Sequence, residues 1–418
     1  MQNKNERLYE GAVELIDILE NSGYQARLAG GCVRDRYMKR DPSDYDIATD
    51  ALPEAICSIF KASRMKVVPT GIEHGTVTVV SKKGCFEVTS LRRDVETDGR
   101  HAVVEFGTSF EEDAARRDFT INAMFEDKDG RIFDYFGGIR DINEGVLRFV
   151  GNPSIRIRED YLRILRFFRF WVRFSLRPDF EALSAIRSEG QGLKKVSQER
   201  ITSEIMLLLE LDDPGDALDK MIETGIWELV FPEFDRKDFS REKITGLKKI
   251  ENSFRPLCRI FSMISPEMGI RAVHAIGSRL KLSNQNTEKI KTLLWGKQNL
   301  PEKTDDVTEV MEYLDRCDEG CWEGRFLDVI LPTLRTLFPE DDERLSFVEG
   351  IENNYSWLRK ANMPIDGKVL IKDLSLSEGA EIGRILLFLK KQFRREAWKT
   401  KEEGLRLASD LLSGKIQG

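Results

Sequence analysis

The chain has 418 residues, enough for two or three domains of ~150 residues and far beyond a scaffold that depends on disulfide staples. Hydrophobic residues at 41% and charged residues at 33% exclude an intrinsically disordered chain. With 65 Lys+Arg against 72 Asp+Glu the net charge is −7, which excludes an all-over basic coat, so any nucleic-acid surface must be local.

Residues 1–23 carry charges among their apolar positions, which predicts an amphipathic helix and not a signal peptide. No stretch reaches the ~18 apolar residues of a membrane span. Cys32, Cys57, Cys85, Cys258, Cys317 and Cys321 are scattered along a long chain without an export signal, which predicts reduced thiols in a cytoplasm. Cys317 and Cys321 have no second ligand pair nearby, and the histidines are only His74, His101 and His274, so no zinc site is expected. Short β-rich runs at Tyr24–Gly30, Met65–Thr70, Gly75–Ser81 and Gly84–Leu91 alternate with helical patterns. From Pro153 onward the apolar spacing is almost entirely helical. The expected fold is an α+β N-terminal domain over residues 1–150, a mixed β-sheet with helices, followed by an all-α remainder. Pro232 divides that remainder into residues 151–232 and 233–418.

Gly30 and Gly31 follow the first strand run and precede a helical stretch, so unhindered backbone N–H groups at a helix start are placed to cradle a triphosphate, with Arg34 adding charge. Neither the Gly-Lys-Ser/Thr of a Walker loop nor a GxGxxG fingerprint is present. Asp44 and Asp46, two apart in a strand, project both carboxylates to one face. Like charges that close repel unless a cation lies between them. Hard carboxylate oxygens suit Mg2+, and a pair of such ions clamps the attacking and leaving oxygens of a phosphoryl transfer. Glu87, in Cys85-Phe-Glu-Val-Thr89, offers a third carboxylate from a neighbouring strand. Taken singly, Gly-Gly is a tight turn and Asp-x-Asp an Asx-rich loop; together, in this order, they point to nucleotidyl chemistry.

Asp160, Arg163, Arg166, Arg169, Arg173 and Arg177 recur every three or four residues, which predicts one stripe along a single helix. The intervening positions are nearly all apolar, so this helix should be buried and its stripe should face a cleft.

Five segments occur in a characteristic order: Leu28–Asp35, Asp41–Thr49, Arg116–Met124, Phe133–Asp141 and Arg158–Arg163. They resemble the motifs of the nucleotidyltransferase superfamily that includes DNA polymerase β, and specifically its class II branch of tRNA CCA-adding enzymes and bacterial poly(A) polymerases. The resemblance covers residues ~25 to ~210; the C-terminal half matches loosely, through helical character and the Gly-rich run Ser377–Gly383. It implies a palm followed by helical neck, body and tail, and template-independent addition of C and A from CTP and ATP to the 3′ end of tRNA, with pyrophosphate released. It also implies that Asp44 and Asp46 are catalytic, and that Arg116, Arg117, Asp118 and Asn122 hold the incoming sugar and phosphates. Asp134 and Asp141 are expected to be structural, and Leu91–His101 to be a flexible loop between the catalytic motifs. His74 and His101 are read as structural or surface groups.

Asp160 accepts hydrogen bonds and Arg163 donates them. Cytosine and adenine both present an amino donor beside a ring-nitrogen acceptor, whereas uracil and guanine present the reverse, so this couple selects C and A without a template. Arg166, on the same stripe, joins the nucleotide-binding set. Basic clusters at Arg236–Lys249 and Arg384–Lys401, the second interleaved with Phe388, Phe393 and Trp398, are candidate RNA surfaces. The alternatives are a poly(A) polymerase, a CC-only or A-only enzyme, a non-catalytic RNA-binding protein, and a transferase acting on a small molecule. The last has no evident use for ~250 residues of helical extension.

Overall fold

The computed structural model describes residues 4–72, 75–97, 102–264 and 268–300, and beyond them residues 313, 316–317, 329–338, 344–345, 348–351, 363–376, 379–394 and 399–416. His74, His101, Cys321, Arg395 and Trp398 lie outside the described residues. The chain divides into two compact units, Met1–Pro232 and Glu233–Gly418.

The first unit opens with α1 (Lys4–Asn21), which buries Ala12, Leu15, Ile16 and Leu19 at helical spacing against a sheet. That sheet contains β1 (Ala26–Ala29), β2 (Ile47–Thr49), β3 (Lys66–Gly71), β4 (Thr76–Val80), β5 (Cys85–Ser90), β8 (Met124–Glu126) and β9 (Ile132–Asp134) in the order β3-β4-β5-β2-β1-β8-β9. In β4, Val77 and Val79 point into the core while the threonines point outward, the period-two pattern of a half-buried strand. Its pairs are antiparallel except β2 with β5, which run parallel with Ile47 opposite Val88. The central position of β1 and β2 brings the Gly30 turn beside the approach to β2: Ala29 N–H donates to the Asp46 carbonyl at 2.9 Å and Gly30 N–H to that of Met124 at 3.0 Å.

Helix α2 (Gly31–Tyr37) lies between the Gly30 turn and β2, and α3 (Pro53–Ala62) follows β2. The segment expected as a flexible loop starts as one arm of a hairpin, β6 (Arg92–Thr97) paired with β7 (Ala102–Phe106), and its tip, residues 98–101, lies outside the described residues. Then come α4 (Phe110–Ala115) and a turn at Thr120–Asn122. Asp134 accepts from the Gly138 and Ile139 N–H groups at 2.9 Å each, starting α5 (Gly138–Glu144). Asp141 is fully buried, accepts from the Thr120 hydroxyl at 2.7 Å and pairs with Arg148. Both aspartates therefore serve local structure.

The single arginine-striped helix is corrected by the structure. α6 (Pro153–Glu159) ends at Asp160, whose backbone is extended (φ −153°, ψ 102°), and α7 (Arg163–Phe174) begins anew. The cause is an Asx-type turn: the Asp160 carboxylate accepts from the Leu162 N–H at 3.1 Å, competing with helix continuation. At the other end Ser175 is left-handed (φ 53°), so Arg177 falls into β11 (Arg177–Pro178), which pairs with β10 (Val146–Leu147). Only Arg163, Arg166, Arg169 and Arg173 share α7. Its apolar side is buried as expected, and Phe167 stacks on Phe149 with centroids 5.4 Å apart beside Phe119. This aromatic packing joins residues 151–232 to residues 1–150 within the first unit. Helix α8 (Phe180–Glu189) and α9 (Gln198–Glu210) complete the part of the unit that carries the site.

Among the described residues the second unit contains helices and no strand, including Arg255–Ser262, Gly269–Arg279, Asn284–Gln298 and a terminal group, Gly367–Leu374, Ala380–Arg394 and Lys401–Leu412, packed around Leu370, Ile385 and Leu389. Arg236, Lys237, Arg241, Lys248, Lys249 and Arg384 are exposed. No helix among the described residues is long and apolar enough to cross a membrane.

Candidate active site

Gly30 closes β1 with φ +70° and ψ −115°, a conformation open to glycine, and a Cβ there would lie 2.4 Å from the Arg117 guanidinium. Gly31 is the first residue of α2. Arg34, one turn on, is 5% exposed; it donates to Asp35 at 2.8 Å and to the Asn122 side chain, and its guanidinium lies over the Phe174 ring at 4.1 Å. Burial lowers the Arg34 pKa from its ordinary value, and the like charge of Arg173 adds to that effect.

Helix α4 is fixed by a capping box between Ser109 and Glu112, and it ends where Arg116 and Arg117 begin. Both arginines fold back onto Asp113, which is 1% exposed. One Asp113 oxygen accepts from Arg116 at 2.9 and 2.6 Å, the other from Arg117 at 3.2 and 2.9 Å. Burial pushes the Asp113 carboxyl up, but Arg117 and Arg116 outweigh it and hold it below its ordinary value. Arg117 also donates to the Asn122 carbonyl at 3.2 Å.

Asp118 is buried and fully used. One oxygen accepts from the Phe119 N–H at 2.8 Å and the Asn122 amide at 2.9 Å, the other from Arg166 at 2.9 and 2.6 Å. Burial raises its carboxyl pKa, and Arg166 with these hydrogen bonds brings it below the ordinary value. Asp118 therefore acts in this structure as a buried anchor for Arg166. Arg169 also lines the cavity and pairs with Glu204 of α9 at 2.6 Å.

Asp160 and Arg163 are brought together by the Asx turn and not by helical spacing. The second Asp160 oxygen accepts from Arg200 of α9 at 2.7 Å. Arg163 donates to Glu159 at 2.7 Å and to the Arg156 and Arg116 carbonyls at 2.9 Å each. Its guanidinium plane is thereby fixed.

Asp44 and Asp46, expected within a strand, lie just ahead of β2, whose first paired residue is Ile47. Asp44 is exposed and Asp46 half-buried. Burial first, then the charges of Asp44 and Glu87, push the Asp46 carboxyl up to about 6, against the pull of Arg117. Glu87 reaches Asp46 electrostatically because β5 pairs with β2 one residue further on.

These groups line two adjoining cavities. The larger, about 540 Å³, holds Gly30, Gly31, Arg34, Asp44, Asp118 and Asn122 together with Asp160, Arg163, Arg166 and Arg200. The smaller, about 240 Å³, holds Asp46 and Glu87, and Arg116 and Arg117 line both. The donor chemistry of Asp44 and Asp46 fits a hard divalent cation: clustered carboxylate charge raises the Asp46 pKa, and a cation would relieve it. Among the described residues no three acidic, cysteine or histidine side chains close into a metal site by themselves. The arrangement matches a cation that takes one or two carboxylates and completes its shell with phosphates and water.

Sequence reading missed Asp113, Arg200 and Glu204. Asp113 was detectable, since it precedes Arg116 and Arg117 by three and four residues, the spacing of helical ion pairs. Arg200 and Glu204 reach the site from a helix 35 to 40 residues away and leave no local signal.

The family described as "Poly A polymerase head domain" matches residues 26–148, and "Probable RNA and SrmB- binding site of polymerase A" matches residues 175–238. The mitochondrial CCA tRNA nucleotidyltransferase 1 of Danio rerio is 33% identical over 400 residues, 95% of this chain and 89% of that one. The CCA-adding enzyme of Bacillus subtilis is 42% identical over 227 residues, 53% of this chain and 56% of that one. Among solved structures, the Bacillus stearothermophilus CCA-adding enzyme in complex with CTP aligns with a TM-score of 0.67 at 25% identity, covering 99% of both chains.

Proposed function

The chain belongs to the class II tRNA nucleotidyltransferase family, and from that premise we propose that it builds or repairs the 3′-terminal CCA of tRNA from CTP and ATP. The observation that carries this reading is the larger cavity, in which a glycine turn, an arginine wall, a lone exposed carboxylate and an acceptor–donor couple meet. The Gly30 N–H is spent on the Met124 carbonyl, so what the two glycines supply is an approach to the start of α2 that no side chain blocks, and Arg34, Arg116 and Arg117 neutralise the triphosphate there.

Asp160 accepts from the exocyclic amino group of cytosine or adenine, and Arg163 donates to the adjacent ring nitrogen. Uracil and guanine would set like against like, and each unpaired buried polar group costs roughly 1–3 kcal/mol. Arg166, anchored on Asp118, closes the wall beside this couple.

Enzymes of this family work with a divalent metal. We assign magnesium, held by Asp44 and Asp46 with Glu87 reinforcing the negative field; when bound it lowers the pKa of the acceptor 3′-hydroxyl and stabilises charge developing at the α-phosphate. The acceptor oxygen gives up its proton to solvent and bonds to the α-phosphorus. The bond from that phosphorus to the α–β bridging oxygen breaks, and pyrophosphate leaves. The chain's residues bind and orient; no side chain is needed as a general base.

The tRNA is gripped by shape and backbone, for which the exposed basic residues Arg236, Lys237, Arg241, Lys248 and Lys249 are candidates. A cytoplasmic setting fits the free thiols of Cys32, Cys57, Cys85, Cys258 and Cys317; the vertebrate relatives are mitochondrial, and a reducing matrix suits these thiols equally. The test is a gel assay with magnesium and each nucleoside triphosphate on tRNA transcripts ending at the discriminator base, at CC and at CCA. Addition that stops at CCA is expected. Arrest at CC, or unlimited A addition to any RNA, would replace this reading with a CC-adding enzyme or a poly(A) polymerase.

A further inference from the structure

Resting on the nucleotidyl-transfer reading, we propose that the smaller cavity seats the terminal ribose of the acceptor RNA, and that Thr89 and Thr76 read its 2′-hydroxyl. The two catalytic carboxylates open onto different cavities: Asp44 lines the larger and Asp46 the smaller, with Arg116 and Arg117 as the shared wall. Displacement at phosphorus runs in line, so nucleophile and leaving group occupy opposite sides of the reacting atom. The glycine turn and Arg34 place the leaving pyrophosphate in the larger cavity. The attacking 3′-oxygen therefore enters from the smaller one, across the Asp44–Asp46 pair.

Size and chemistry agree with that occupant. At about 240 Å³ the smaller cavity is below the ~300–1,000 Å³ that encloses a whole small-molecule ligand, so it suits the end of a chain. Its floor is Ala29 and Ala48, apolar enough for a sugar face. Thr76 and Thr89 stand opposite each other on β4 and β5, with their hydroxyl oxygens 3.0 Å apart. Thr89 shares its strand face with Glu87, two residues away, so the hydroxyl pair lies beside a carboxylate whose charge acts on Asp46. A vicinal diol matches a pair of groups that both donate and accept. Arg92 lines the same cavity and supplies positive charge for the last phosphodiester.

The experiment measures steady-state addition of CMP to tRNA transcripts that end at the discriminator base in either ribose or 2′-deoxyribose, titrating acceptor and CTP separately. The wild-type protein should prefer the ribose terminus by ~10-fold in kcat/KM, the worth of one hydrogen bond to a buried hydroxyl pair. Thr89→Val should raise the acceptor KM, leave the CTP KM within ~2-fold, and bring the ribose-to-deoxyribose ratio close to one. Thr89→Ser, which keeps the hydroxyl, should restore the ratio, and Thr76→Val provides an independent variant should Thr89→Val fold poorly. A ratio unchanged in both valine variants, or a rise confined to the CTP KM, overturns this assignment alone. Absence of incorporation by the wild-type protein overturns the functional reading and the assignment with it.

Discussion

The arginine wall and the carboxylate floor of the site are neighbours that treat charge in opposite ways. On the wall, Asp113 holds Arg116 and Arg117, and Asp118 holds Arg166, Asn122 and a backbone N–H; both carboxyls sit below their ordinary pKa despite burial. On the floor, Asp46 faces two further carboxylates, and its pKa rises to about 6. Pairing turns charge into fixed geometry, which the wall needs if it is to read a base and bind phosphates as proposed. Leaving charge unpaired preserves an attraction that only a ligand can satisfy, and the folded protein is less stable for it.

The sharpest way to break this contrast is Asp46→Asn. Incorporation should fall by ~10⁴-fold, about 5 kcal/mol of transition-state stabilisation, read in a single-turnover assay. The same substitution should stabilise the metal-free protein by roughly 1–3 kcal/mol at neutral pH. The sign follows from the proton count: the folded pKa of about 6 lies above the ordinary 3.8 that describes the unfolded chain. Between these values the folded state keeps a proton that the unfolded chain has lost, so this contribution to stability is full below the lower value and disappears as pH rises through the upper one. Urea unfolding of wild type and variant without divalent cation, across that window, should give curves that diverge as pH increases. Parallel curves would mean that the floor is not strained.

Asp118→Ala should do the reverse. It removes one partner of a buried pair and leaves the Arg166 guanidinium and Asn122 amide without their acceptor, a loss of about 3–5 kcal/mol in urea unfolding. A double variant, Asp118→Asn with Arg166→Gln, should regain part of that loss because no charge is then stranded. If the single substitution costs no more than a surface pair, the wall is not rigidified by charge.

The couple proposed to read the base lies between these extremes, since Asp160 and Arg163 are held by partners yet open to the cavity. Asp160→Ala should reduce the preference for CTP over UTP by roughly 10–100-fold, measured as a ratio of kcat/KM values on one tRNA. A uniform fall for all four nucleotides would assign Asp160 to positioning and not to selection.

How much of this was legible depended on sequence distance. The Gly30-Gly31 turn and the Asp44 and Asp46 pair are local, and the chemistry proposed for them follows from residue type and spacing; for the Arg116-Arg117-Asp118 run it is implied by the family resemblance. The arginine stripe was legible as a buried helix facing a cleft, but its start was misplaced, because an Asx turn at Asp160 competes with helical hydrogen bonds that periodicity cannot weigh. The expected loop at Leu91–His101 begins as a strand because Arg92–Thr97 finds β7 as a partner, a pairing fixed by tertiary structure. Asp118, expected to meet the nucleotide, does line the larger cavity, but its pairing with Arg166, 48 residues away, left no signal in its own motif.

Arg200→Gln tests the smallest effect and the finest point of the comparison. The Arg200–Asp160 pair is about one-third exposed on the Arg200 side, so water screens it and its worth to stability is roughly 0.2–1 kcal/mol. Unfolding should barely change. Yet Arg200 occupies one Asp160 oxygen while the Leu162 N–H occupies the other, so together they set the plane of the carboxylate proposed to meet the base. Released from Arg200, the carboxylate rotates and the hydrogen-bond angle to the amino group worsens. The expected result is a several-fold, ~1 kcal/mol loss of CTP-over-UTP preference with the CTP KM nearly constant and little loss of stability. Arg200→Lys, which keeps the charge without the planar fork, should recover less than half of that preference. Full recovery by lysine would show that charge alone, and not the fixed orientation of Asp160, underlies the choice of base.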